Sequence, residues 1–177
     1  MDRDPAGPFL DVARDAVAAA AERPILEAFL DFYRETVVRK ITGLADHDAR
    51  RRLVGSSTTL AGLVKHLRVI EMNWFMRILA QTPEGDLPVE VCWQDYADSS
   101  FMLAPADTIA SLIAAYQHQC ELSRQIARRH QLSATVPHPQ LGTVSLRWIY
   151  VHMIDETARH TGHADILREQ IDGQTGP

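Results

Sequence analysis

Four residues able to bind a metal or carry a proton, His152, Glu156, His160 and His163, fall inside one stretch, residues 147–173 (RWIYVHMIDETARHTGHADILREQIDG). Ile149, Met153, Leu167 and Ile171 recur there at helical spacing. At 100° per residue this stripe has Glu156 and His160 near its middle and His152 and His163 toward one edge. Burying an unpaired carboxylate costs on the order of several kcal/mol, so an acid aimed at a core is paired, protonated or metal-bound. Residues four apart on a helix hold their Cβ atoms roughly 5–6 Å apart, close enough to chelate one ion together. A third ligand must come from another helix, and His66 is the one histidine on an inner stripe elsewhere. Two imidazoles and a carboxylate suit zinc, nickel or ferrous iron and leave positions open for water or substrate. The competing set His152, Glu156 and His160 fans out along a single helix. Spacing alone leaves two readings open: a metal site, or three polar side chains satisfied within a core.

Such residues need long helices packed face to face. Ile25, Phe29, Phe32, Val37 and Ile41 predict a helix over 25–43 that Gly43 stops, followed by a short helical turn at 46–51. Ser57, Thr58 and Thr59 are candidate caps for a second helix over 60–79, with Leu63, Leu67, Ile70, Trp74 and Ile78 as its inner stripe and His66 on that face. Pro105 opens a third helix over 105–129, with Ile109, Leu112, Ile113, Tyr116, Cys120, Ser123 and Ile126 inward. Thr143 or Ser145 caps the last helix, which Gly173 ends. Residues 82–104 read as a long loop with a short strand or turn around 89–93, and 130–143 as a second loop; Trp93, Tyr96 and Phe101 would cover one end of the domain. The fold class expected is all-α, a four-helix bundle over 25–173, after an extension (1–24) with one short helix and before a tail (174–177).

Composition narrows the function classes. The 177 residues are 46% hydrophobic with a net charge of −5, ordinary for one globular domain and unlike a dedicated nucleic-acid binder. No run of 18 uncharged apolar residues offers a membrane span, and the N-terminus has no basic region followed by an apolar run, so a cytoplasmic protein is expected. Cys92 and Cys120 lie outside any CxxC pattern and read as packing residues.

The pairing of LAGLVKHLRVIEMNWF (60–75) with the histidine-rich stretch, above all ETARHTGHADILRE, resembles the DinB/YfiT-like superfamily. More closely, it resembles the superfamily's actinobacterial branch that includes the mini-circle protein. The likeness runs from about Ile25 to Gly173. It implies an up-down-down-up bundle holding one divalent transition metal, zinc before nickel or iron, on His66, Glu156 and His160. The Glu/His pair resembles the variant in mycothiol-dependent maleylpyruvate isomerase. His163, where many relatives carry glutamine, and His152 are candidates to orient a ligand or bound water. The loop bearing Trp93 and Tyr96 is a candidate substrate wall, and Arg147 a candidate contact for an anionic group. The implied activity is S-transfer or isomerisation with a low-molecular-weight thiol such as mycothiol, acting on a small-molecule substrate, in a chain that forms a homodimer. A hydrolase using metal-bound water and a non-catalytic, stress-related metal-binding protein are the alternatives.

Overall fold

The computed structural model describes residues 12–88 and 99–176. Helices dominate them: α1 Val12–Asp15, α2 Glu22–Ile41, α3 Asp46–Ala49, α4 Leu60–Glu71, α5 Ile109–Arg128 and α6 Leu146–Asp172. The two longest loops differ in fate. Residues 89–98, which include the expected strand or turn, lie outside the described residues. The loop expected over 130–143 instead contains an antiparallel hairpin, β1 Thr135–His138 with β2 Gly142–Ser145, in the register Thr135↔Ser145 to His138↔Gly142. Its turn needs Gly142 at φ 74°, and a two-stranded ribbon has an open edge that tolerates Pro137.

Local chemistry decides where the helices begin. The Thr59 hydroxyl accepts the Gly62 N–H, and Ser145, not Thr143, accepts the Trp148 N–H to cap α6. The third long helix starts at Ile109 rather than Pro105, because Thr108 and Ser111 form a reciprocal capping box. Asp107 meanwhile closes a turn by accepting the Ala104 N–H. Helix α2 begins at Glu22, one turn earlier than expected, with Pro24 in its first turn, where a missing N–H is harmless. Helix α6 ends at Gly173 in the left-handed region (φ 78°).

The second helix spans the expected 60–79 but changes winding. From Met72 to Leu79 it becomes a π-helix. Four consecutive residues there, Met72, Asn73, Trp74 and Phe75, are all buried. An α-helix presents a single stripe to a core, whereas the wider turn lets neighbouring side chains serve two faces.

Cross-chain contacts give the helix directions. Glu22 meets Arg147, Glu27 meets Tyr150, and the Lys40 carbonyl accepts from Arg168, so α2 and α6 run in step. Arg34 on α2 meets Glu71 on α4, while His66 packs near His160 and Trp74 near His152, so α4 runs against α6. Arg124 on α5 meets Asp31, and Arg23 donates to the His130 carbonyl, so α5 runs against α2. The Arg168 side chain is buried; it donates to the Lys40 and Thr42 carbonyls at 2.8 and 2.9 Å and closes the end of α2.

Two apolar clusters form the core. One gathers around Leu63, Leu67, Tyr116 and Leu167, the other around Leu30, Phe75, Leu146 and Met153. Between them lies a buried polar layer of Arg34, Glu71, Gln119, Ser123 and Thr157. Arg34 reaches the two Glu71 oxygens at 2.7 Å each, a bidentate pair that also rotates α2. Leu30 and Arg34 therefore face inward, and Phe29, expected in the stripe, is 36% exposed.

Cys120 borders this layer. Burial, reinforced by the Glu71 carboxylate, raises its thiol pKa from 9.0 to about 12. The thiol stays protonated and unreactive in the native state at neutral pH, which fits a packing residue. The sign of the pH dependence follows. Below about pH 9 the thiol is protonated in both states and its contribution to stability is complete; as pH rises toward 12 only the unfolded thiol ionises, and the contribution is lost. Alkylation followed by peptide mass analysis is expected to leave Cys120 unmodified in native protein at pH 8 and to modify it once denaturant is added. No helix among the described residues is long and apolar enough to cross a membrane.

Candidate metal centre

The inner face of α6 is centred on Met153, Thr157 and Ala164, all fully buried. Glu156 and His160 therefore lie beside the middle of the stripe rather than on it, turned toward α4, with side chains 20% and 11% exposed. There they meet His66, which is buried in the α4 face. His160 Nε2 lies 3.1 Å from Glu156 Oε1, and His66 Nε2 lies 3.6 Å from the same oxygen. One ligand atom from each of the three residues falls within 4.8 Å of the others. Ligand atoms bonded at ~2.0–2.1 Å around a tetrahedral ion stand roughly 3.3 Å apart. The donor set and its spacing thus fit a divalent transition metal.

Protonation agrees with that fit. The His160 hydrogen bond and the approach of His66 hold the Glu156 carboxyl well below the usual range, so it is ionised at neutral pH. Burial pushes the His66 pKa down and favours the neutral ring. Ionised carboxylate and neutral imidazole are the forms a metal requires.

His66 is held from two sides by Ser100 and Phe101. The Ser100 hydroxyl lies 2.8 Å from His66 Nδ1, and the Phe101 ring stacks on the imidazole at 4.1 Å and 13°. Phe101 had been read only as cover for the end of the domain, and Ser100 carries no sequence signal, lying in a loop without periodicity. Gly62 admits this segment: a Cβ there would stand 2.9 Å from the Phe101 carbonyl oxygen. Hydrogen bonds to the far nitrogen of a ligating histidine set its tautomer and ring orientation. Ser100→Ala is expected to weaken metal affinity about 10–100-fold with the helical circular dichroism unchanged, read by competition with a chromogenic chelator. His160 Nδ1, by contrast, is buried without a hydrogen-bond partner among the described residues.

The remaining candidates sit at graded distances. His163 packs edge-on against His160, with ring centroids 5.4 Å apart. His152 packs near Trp74 at 4.4 Å and stacks on Trp148 at 5.1 Å, one turn from Glu156. Arg147 lies in the first turn of α6 and pairs with Glu22 at 2.5 Å, so the structure does not bring it to the triad. Trp93, Tyr96 and Cys92 lie outside the described residues.

Comparisons with known proteins bear on the whole chain. No curated protein matches it. A crystal structure of a conserved protein from Enterococcus faecalis superposes with a TM-score of 0.69 at 15% identity, covering 88% of this chain and 100% of that one. At that identity the likeness establishes a common fold and nothing about activity. The family model for mycothiol-S-transferase, a DinB/YfiT-like family, matches residues 25–173, from the first long helix to the glycine that ends the last. The chain therefore belongs to the mycothiol-S-transferase family.

Proposed function

We propose that the protein is a divalent-metal-dependent S-transferase, built as an up-down-down-up four-helix bundle, that passes a low-molecular-weight thiol of the mycothiol type to an electrophilic small molecule. The observation that carries this is the convergence of His66, Glu156 and His160 from two helices onto one point, with Glu156 and His160 still partly open to solvent. Family membership supplies the thiol, and the helix directions support the topology.

His66, Glu156 and His160 would hold the metal, and a bound metal would supply the Lewis acidity that keeps a thiol deprotonated at neutral pH. The chain's own residues do the rest. Ser100 and Phe101 fix the His66 ring, so the ligand set needs little reorganisation. Three protein ligands leave further coordination positions free for an incoming group. Glu156 contributes the one negative charge of the set. His163, against His160, and His152, one turn before Glu156, would touch ligands entering along α6.

Metal analysis of untagged protein tests the first half of the proposal, with about one equivalent expected. Cobalt-substituted protein titrated with a thiol tests the second. A sulfur-to-cobalt charge-transfer band is expected; its absence in metal-replete protein overturns thiol coordination and favours chemistry on metal-bound water.

A further inference from the structure

Beside the triad, between α6 and the segment that precedes α4, lies a cleft of about 280 Å³ lined by Val54, Ser56, Thr58, His163, Ile166 and Leu167. The chain is 23% charged, yet the cleft lining holds no carboxylate, lysine or arginine. Ile166 is 54% exposed and Val54 41% exposed, so apolar surface faces solvent on both walls. The polar groups present are two hydroxyls and one imidazole. That imidazole, His163, belongs to the cleft and also packs against His160 of the triad. The cleft and the candidate metal centre are thus separated by a single ring-to-ring contact.

We infer that this cleft is the subsite for the electrophilic substrate and that it selects an uncharged, largely apolar molecule of small size. This rests on the S-transferase reading above. The lining sets the chemistry: a charged ligand entering there would leave water without gaining a counter-ion, while an apolar ring or short chain would cover Val54, Ile166 and Leu167. The volume is near the lower end of those that hold small ligands, which suits a molecule of about one ring. The two hydroxyls, Ser56 and Thr58, can bond to one polar substituent such as a nitro or carbonyl group. The reacting atom would lie past His163, toward the ion-binding side chains. His163 is then a positioning residue shared by substrate and metal ligand.

The test uses the full chain loaded with zinc and two unreactive probes of matched shape, 1,3-dinitrobenzene and 3,5-dinitrobenzoate, followed by isothermal titration. The neutral probe is expected to bind at least about tenfold more tightly than the anion. Ile166→Glu and Val54→Glu introduce a charge at exposed positions outside both core clusters, so the fold is retained. Each is expected to reduce binding of the neutral probe about tenfold or more while the zinc content stays at the wild-type level. Equal affinity for the two probes, undiminished binding in both variants, or no binding to the wild type would overturn the inference. Failure of the S-transferase reading is separable: it would show as no thiol-to-cobalt band, whatever the probes do in the cleft.

Discussion

His66→Ala and His160→Ala are each expected to reduce bound metal from about one equivalent to below ~0.1 after dialysis against a mild chelator. His152→Ala should retain it. The reasoning is geometric. Two ligands on α6 cannot close a three-ligand set by themselves, and His66 reaches the same Glu156 oxygen from α4. Removing either imidazole leaves two protein donors, too few to hold a labile ion against a chelator. His152 instead packs with Trp74 and Trp148, and its truncation disturbs that ring cluster and not the triad. Elemental analysis of the purified variants, with circular dichroism as the control for folding, decides the matter. Metal loss in His152→Ala with full retention in His66→Ala would show that the wrong set of ligands has been chosen.

Glu71→Ala should be the most damaging single change to stability, at roughly 3–5 kcal/mol. For a chain of this size that corresponds to a fall in Tm of roughly 6–20 °C. Both side chains of the Arg34–Glu71 pair are 5% exposed or less. Truncating the acid strands a guanidinium between two apolar clusters, with Asp31 as its remaining anionic partner at 2.8 Å. The damage comes from a buried guanidinium that keeps only Asp31 and loses the acceptors of its Nε and second Nη groups, not from the loss of a strongly stabilising bond. The double variant Arg34→Met/Glu71→Leu is accordingly expected to recover most of the loss. Denaturant unfolding of the single and double variants measures both effects. A double variant no more stable than Glu71→Ala would mean that the pair stabilises the fold beyond what apolar packing can replace.

The polar layer also shows why some of this protein was legible from residues alone and some was not. Helical periodicity is a local property, so the four long helices and the i, i+4 pair Glu156–His160 could be read from spacing, whereas the exact inner faces of α2 and α6 could not. His66 was readable for the same reason, as a histidine lying on an apolar stripe. End positions followed local chemistry as well, although the Thr108–Ser111 box prevailed over the proline four residues before Ile109. What depends on a distant partner was not legible. Arg34 looks like any arginine on an amphipathic helix until Glu71, 37 residues later, is packed against it. Arg168 looks like a surface charge until the end of α2 presents two free carbonyls. Ser100 and Phe101 sit in a loop without periodicity, and only the close approach at Gly62 brings them onto His66. The π-helical winding at Met72–Leu79 accompanies four consecutive buried residues, Met72 to Phe75, which no helical period announces. By itself the sequence determined which side chains could bind a metal and on which helices they lie. The tertiary structure alone decided that two imidazoles from different helices meet one oxygen of Glu156 and what holds them there, because convergence depends on how helices far apart in the chain pack against each other.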